Sequence, residues 1–329
     1  MYETFYGLSA KPFQLRPDPH FYFGSKGHKR AMAYLEYGLS QGEGFIVITG
    51  EVGAGKTTLV RNLFNRLPSD QIVAAHIVNT HVNADDALRM VAAAFGLPAE
   101  GATKGELLTR IEQFLRQADR EGKRALLVID EAQNLNMATV EELRMLSNFQ
   151  TDSRCLLQTF LLGQPEFRAT LHRPGMQQLR QRVIASYHLG PMDAQETRAY
   201  IEHRLQTVGW RGDPAFSDDA HAAIYTYSGG IPRKTNTLCD RILLMGYLEE
   251  LHAISAADVD TVVQDIREEF ELPEEELVAT APVQAAPGPV AIDERMAALE
   301  HSMVSVLSLL KNMAATPRGA LAQPVDGAQ

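Results

Sequence analysis

Cysteine is scarce: the 329 residues hold two, Cys155 and Cys239. A disulfide framework is excluded, as is a four-thiolate zinc site, and a reducing cytoplasm suits this composition best. Long apolar runs are also missing. Apolar runs such as Phe45–Ile48 and Ala125–Ile129 are strand-sized, and none approaches the ~20 apolar residues a membrane helix needs. The opening stretch MYETFYGLSAKPFQLRPDPHFYF lacks the basic start and apolar segment of a targeting signal. Positive charge is in deficit, with 31 Lys+Arg against 41 Asp+Glu and a net of −10. That argues against holding nucleic acid by bulk charge. The deficit is uneven, because residues 268–329 hold ten acidic and three basic side chains. For the rest of the chain the argument against nucleic acid rests on the lack of a recognisable basic element.

What is present is a globular composition, 45% hydrophobic and too apolar for wholesale disorder. Residues 1–27 read as an irregular arm, interrupted by Pro12, Pro17, Pro19, Gly24 and Gly27. From His28 to Gln41, Ala31, Met32, Leu35 and Leu39 share one helical face. Strand-like runs at 45–49, 71–78, 124–130, 155–162 and 183–189 then alternate with helical stretches at 56–67, 84–95, 105–119 and 138–149. Alternation of this kind predicts an α/β core, 28–191, with a parallel sheet between helices. After Pro191 the strands stop, and 193–208, 217–227, 232–249 and 255–268 predict an all-helical unit, 192–268. An acidic, Pro/Ala-rich linker is expected at 269–290. Ile292, Met296, Leu299, Met303, Val306, Leu310 and Met313 then form a heptad seam, so 291–314 reads as a coiled-coil helix or as one that packs back on its own body. Residues 315–329 read as a disordered tail.

The sharpest signal is GEVGAGKT, Gly50–Thr57, a P-loop pattern between a strand and a helix. Gly53 and Gly55 permit a tight backbone whose N–H groups face phosphate oxygens, and the next helix adds its positive end. The nucleotide-binding set is Gly50, Glu51, Val52, Gly53, Ala54, Gly55, Lys56, Thr57 and Thr58. Lys56 suits the β/γ phosphates of ATP, and Thr57 suits Mg²⁺. ALLVIDEAQ, Ala125–Gln133, leads an apolar strand into Asp130 and Glu131. Acidic residues at the carboxyl end of such a strand are placed for Mg²⁺ (Asp130) and for activating water (Glu131). The plainer alternative is an acidic pair opening a surface turn.

Together these motifs and the helical unit that follows resemble the AAA+ ATPases, whose fold is a P-loop NTPase core with a helical lid. The resemblance implies further roles. Gln164, after the strand 155–162, falls at the sensor 1 position; a turn residue before Pro165 is the alternative. Arg182 fits the arginine finger, with Arg180 its competitor and a surface basic cluster the alternative. A finger acting on a neighbour's nucleotide implies a homo-oligomer. Arg233 in GGIPRKTN matches sensor 2, against a capping-turn arginine. Asn79 falls where some relatives keep a polar switch on the catalytic Glu. The arm and first helix would close over adenine through Phe13, Pro17 and His28, with a core role equally open for Phe13. The ten histidines show no metal-type spacing, and most read as surface residues.

The arm, GHKRAMAYLEYGL and GFIVITGEVGAGKTTLVR are similar to the general-secretion-pathway A-type ATPases. DDALRMVAAAFGLP, KRALLVIDEAQNL and RQRVIASYHLGPMDAQETRAYIEHRLQTVGW look like the secretion ATPase found with exosortase (PEP-CTERM) and exopolysaccharide systems of Gram-negative bacteria. The likeness covers about residues 1–268. It implies a cytoplasmic ATPase, peripheral at the inner membrane through a partner, that serves envelope secretion or polysaccharide-export proteins. That family continues into a transmembrane helix and a wall-binding domain, neither of which is expected from these residues. Lys234-Thr235 also departs from the family's usual pair before the Asn. A DNA-associated ATPase of the transposition-accessory type and a nucleotide-dependent scaffold are the competing readings.

Overall fold

Alternation within each strand shows how the core is laid out. In the computed structural model, Phe45 and Val47 face one side of the sheet, and Ile46 and Ile48 face the other. The same holds for Ala125, Leu127 and Ile129 against Leu126 and Val128. Strands buried on both faces require helices on both faces. The structure describes residues 1–270 except 17, 69, 79–83 and 153. Pro17, Asn79, the linker beyond residue 270, the heptad helix and the tail therefore lie outside the described residues. Residues 1–268 form one compact unit.

The arm is less irregular than its prolines imply. It holds a short helix, α1 (Tyr2–Phe5), and a 3-10 turn at Pro19–Phe21 capped by Asp18. Helix α2 (Lys26–Gln41) starts two residues earlier than predicted because Ser25 caps it, accepting from His28 N. There follow β1 (Phe45–Gly50), α3 (Lys56–Arg66), β2 (Ile72–Ile77), α4 (Ala84–Ala94), α5 (Lys104–Arg120), β3 (Arg124–Ile129), α6 (Met137–Leu146) and β4 (Leu157–Gly163). Two helices not predicted, α7 (Pro165–Leu171) and α8 (Gln177–Arg180), lead to β5 (Val183–Leu189). Pro165 stands at the start of α7, where its missing N–H costs nothing. Among the described residues the five strands pair in parallel in the order β2-β3-β4-β1-β5.

Beyond the sheet come α9 (Ala194–Thr207), β6 (Ala215–Phe216), α10 (Asp218–Ser228), α11 (Pro232–Leu248), β7 (Ala253–Ile254) and α12 (Ala256–Phe270). The expectation of helices alone is corrected here, because β6 and β7 pair in parallel. Two residues each are too short to leave a periodic signal.

The arm packs with these last helices. Tyr2, Tyr6, Leu8, Phe13 and Phe21 share a hydrophobic core with Ile201, Leu205, Leu238, Ile242 and Val259. Ser9 N donates to Val208 O at 2.9 Å, and Tyr6 Oη donates to Leu251 O at 3.0 Å. Two sequence segments nearly 200 residues apart thus build one body, which sits on the α/β core.

Candidate active site

The P-loop leaves the carboxyl end of β1, where parallel strands present their ligand-binding edge. Gly53 (φ 82°) and Gly55 (φ 95°) lie in the left-handed region that glycine adopts freely. Gly55 caps α3, so the first N–H groups of Lys56, Thr57 and Thr58 face the cavity with the helix's positive end. Lys56 Nζ donates to Gly50 O at 2.7 Å and to Glu51 O at 3.1 Å. Burial lowers the Lys56 pKa, against the opposing pull of Glu131 and Asp130.

Thr57 Oγ1 donates to Asp130 Oδ2 at 2.6 Å. A hydroxyl and a carboxylate, side by side at the mouth of a phosphate-binding loop, are hard oxygen donors of the kind Mg²⁺ takes, its remaining positions left to phosphate and water. The residues present therefore fit the ion. Among the described residues no three of His, Cys, Asp and Glu gather as a metal-holding group, so a cation here would rely on its substrate for ligands.

Glu131 follows with a left-handed backbone, φ 52° and ψ 41°. Its Oε2 accepts from Gln133 Nε2 at 2.5 Å and from Gln164 Nε2 at 3.1 Å. Burial by itself would raise the Glu131 pKa. The amides of Gln133 and Gln164, then the charge of Lys56, outweigh it and leave the carboxyl below its ordinary value. An ionised carboxylate in this position can accept a proton from water.

The opposite wall comes from the arm and the last helices. Gln14, Asp18, Tyr22, Tyr200, Arg204 and Arg233 line, with the P-loop, a cavity of about 290 Å³. Arg233 N donates to Gly53 O at 3.2 Å, so the first turn of α11 rests directly on the P-loop. Arg204, 6% exposed, donates to Pro12 O at 2.6 Å, Tyr200 Oη at 2.8 Å and Gln14 O at 3.3 Å. Its guanidinium also lies 4.7 Å from the Phe21 ring centre. Tyr200 Oη donates onward to Asn236 Oδ1 at 2.8 Å, which joins α9 to α11.

The fold thus brings Lys56, Thr57, Asp130, Glu131, Gln164 and Arg233 to one place. Arg182 is elsewhere. It precedes β5, and its carbonyl accepts from Phe45 N at the opposite end of β1 from the P-loop. Six residues of strand at roughly 3.3 Å each separate the two ends, farther than an arginine reaches. Its guanidinium contacts Ser147 Oγ and Asn148 Oδ1, while Arg180 Nη1 donates to Leu171 O at 3.3 Å. Of the adenine candidates, Phe13 is 1% exposed in the core the arm shares with the last helices rather than in the cavity. His28 does line the cavity, its Nδ1 2.8 Å from Ser25 Oγ. The histidines are less superficial than expected: His28 and His221 are buried, and His76 and His203 are half-buried. They fill helix and strand positions that face inward.

Gln133 and Arg204 carried no role in the sequence reading. Arg204 had left a signal, a charged residue in the apolar stripe Tyr200, Ile201, Leu205, Val208. Gln133 had left none beyond its spacing from Glu131.

Residues 39–171 match the family model described as AAA domain. General secretion pathway protein A of Aeromonas hydrophila is 39% identical over 267 residues, which are 81% of this chain and 48% of that protein. The chain thus spans about half the length of that relative. CDC6P from Pyrobaculum aerophilum shares the fold at 17% identity and a TM-score of 0.60, covering 85% of this chain and 74% of that one. The ADP form of the ORC2 protein from Aeropyrum pernix does so at 18% identity and 0.58, covering 81% and 75%. No described helix is long and apolar enough to cross a membrane. With a P-loop NTPase fold, its motifs assembled around one cavity and these similarities, the chain carries an AAA+ ATPase domain homologous to that of a general secretion pathway A-type protein.

Proposed function

We propose that the protein is a Mg²⁺-dependent ATPase switch that works as a homo-oligomer in support of envelope secretion or exopolysaccharide export. The observation that carries this is the Thr57–Asp130 bond, with Glu131 and Gln164 beside it and the turn of Arg233 seated on Gly53. Gly50–Thr58 hold the phosphates and Lys56 neutralises the β/γ charge. Thr57 and Asp130 hold Mg²⁺, which draws charge off the phosphate oxygens when bound. Glu131 accepts the proton of the attacking water, and Gln164 orients the water or the γ-phosphate. Arg233 senses the γ-phosphate from α11. Arg182, too far from its own P-loop, is proposed to serve the nucleotide of a second copy. The secretion assignment is supported by the Aeromonas relative. The narrower link to an exosortase (PEP-CTERM) system rests on the stretches quoted from the sequence.

The test pairs two variants. Lys56→Ala is expected to abolish nucleotide binding in a titration. Glu131→Gln is expected to bind ATP and to lose turnover by about 10²–10⁴-fold, the usual contribution of a general base. Normal turnover in Glu131→Gln would overturn the assignment of the base. The ATP-loaded Glu131→Gln protein then serves as bait: capture of envelope-export proteins supports the pathway, and salt-sensitive capture of DNA instead would replace it.

A further inference from the structure

Gln133 uses both ends of its amide. The left-handed backbone at Glu131 opens the 3-10 turn Ala132–Asn134, closed by Asn134 N donating to Glu131 O at 3.0 Å. The turn folds the side chain of Gln133 back over that of Glu131. Its Nε2 donates to Glu131 Oε2 at 2.5 Å, and its Oε1 accepts from the backbone N–H of Gln164 at 2.9 Å. The side chain of Gln164 closes the figure, donating to the same Glu131 oxygen at 3.1 Å. A donor is needed toward the carboxylate and an acceptor toward the N–H. An amide supplies both at this length, a carboxylate only the second and a hydrocarbon neither. The three residues sit just past the ends of β3 and β4, which are paired neighbours. The turn therefore ties the two strand ends across the place where water and the γ-phosphate would meet.

We propose that Gln133 is a positioning residue for ATP hydrolysis, which fixes the orientation of the Glu131 carboxylate and locks it to Gln164 so that the two act as one unit. This deepens the hydrolytic reading above and rests on it. Gln133 itself touches neither phosphate nor water in this role. It acts by restricting rotation of the Glu131 side chain, and small misplacements of a base are costly in rate.

The experiment compares Gln133→Ala, Gln133→Met, Glu131→Gln and the double variant Glu131→Gln/Gln133→Ala in steady-state turnover and in ATP binding. Gln133→Ala is expected to lower kcat by about 10–100-fold while KM and the affinity for ATP stay within about twofold. Gln133→Met discriminates the mechanism. It keeps the length and fills the space without adding charge, but loses both the donor to Glu131 and the acceptor for Gln164 N–H, so a merely space-filling Gln133 would leave it active. Positioning predicts that it is as slow as Gln133→Ala. In the double variant the two losses are expected not to add, because the effect of Gln133 passes through Glu131. Turnover near normal in both Gln133 variants, with Glu131→Gln still stalled, would overturn this proposal and leave the hydrolytic reading intact. Turnover near normal in Glu131→Gln would overturn the hydrolytic reading itself.

Discussion

On the phosphate side of the cavity, the contacts join segments that leave neighbouring strands. Thr57 follows β1, Gln164 follows β4, and Asp130 and Glu131 follow β3. On the opposite wall, Arg204 reaches back 192 residues in sequence to Pro12 and 190 to Gln14. The first set is held by a ladder buried on both faces, so its geometry comes with the sheet. The second is held by an apolar core shared between the arm and the last helices and, at the cavity, by one buried cation on backbone carbonyls and an aromatic ring, with no carboxylate among its bonds. A cation buried this way depends on every acceptor being in place. The P-loop and the acidic pair are thus mounted on the paired strands of the sheet, and the opposite wall on segments distant in sequence that meet only through packing and a few specific bonds.

Breaking the wall should show that difference most strongly. Arg204→Ala leaves the carbonyls of Pro12 and Gln14 and the Tyr200 hydroxyl short of a donor, at about 1–3 kcal/mol for each buried group left unmade. We expect a loss of about 3 kcal/mol or more in urea unfolding. The amide of Ser9 should lose hydrogen-exchange protection while those of β1 and β3 keep theirs. KM for ATP should rise with kcat little changed. Equal loss of protection in the sheet would contradict the contrast between the two walls.

The contact between the P-loop and α11 is tested at Gly53. A Cβ there would stand 2.3 Å from Arg233 Cβ, on a backbone with φ 82° that L side chains avoid. Gly53→Ala must shift either the P-loop or α11, and ATP affinity is expected to fall about tenfold or more. The same change at Gly7, which has open space around it, should leave ATP affinity untouched.

Acid provides a milder probe. Burial lowers the pKa values of His28, His76, His203 and His221 below the ordinary value of 6.5. Such groups stay neutral in the fold while the unfolded chain takes up protons near 6.5. Stability is therefore full above that pH and declines as pH falls below it, levelling once the folded groups protonate as well. His28 lies beside the P-loop, His203 beside the arm and His76 beside Asp130. The melting temperature should fall between about pH 6.5 and 5, with the arm loosening before the sheet in hydrogen exchange. Against these, Lys26→Ala removes only an exposed ion pair to Asp193 and should cost at most about 1 kcal/mol.

Much of the phosphate side was legible in the chain because its signals are local. The P-loop is eight contiguous residues, and the acidic pair closes a strand whose apolar run is continuous. The placement of Gln164 and Arg233 beside them was expected only through resemblance. The helices α7 and α8 were missed because seven and four residues are too few for periodicity to register. The arm read as irregular because its apolar residues follow no period. They are spaced to fill gaps between α9, α11 and α12 rather than to form a face of their own.

The sequence by itself determined the P-loop, the acidic pair and the alternating architecture, since all are written in runs of a few residues whose backbone preferences and polarity act over one or two turns. Only the tertiary structure decided that the arm belongs to the last helices, that Arg204 holds it there, that Gln133 straps Glu131 to Gln164, and that Arg182 stands at the far end of the sheet from its own P-loop. Those facts depend on which distant surfaces pack together. That choice is settled by burying apolar area and satisfying every buried polar group across the whole molecule, and no local pattern encodes it.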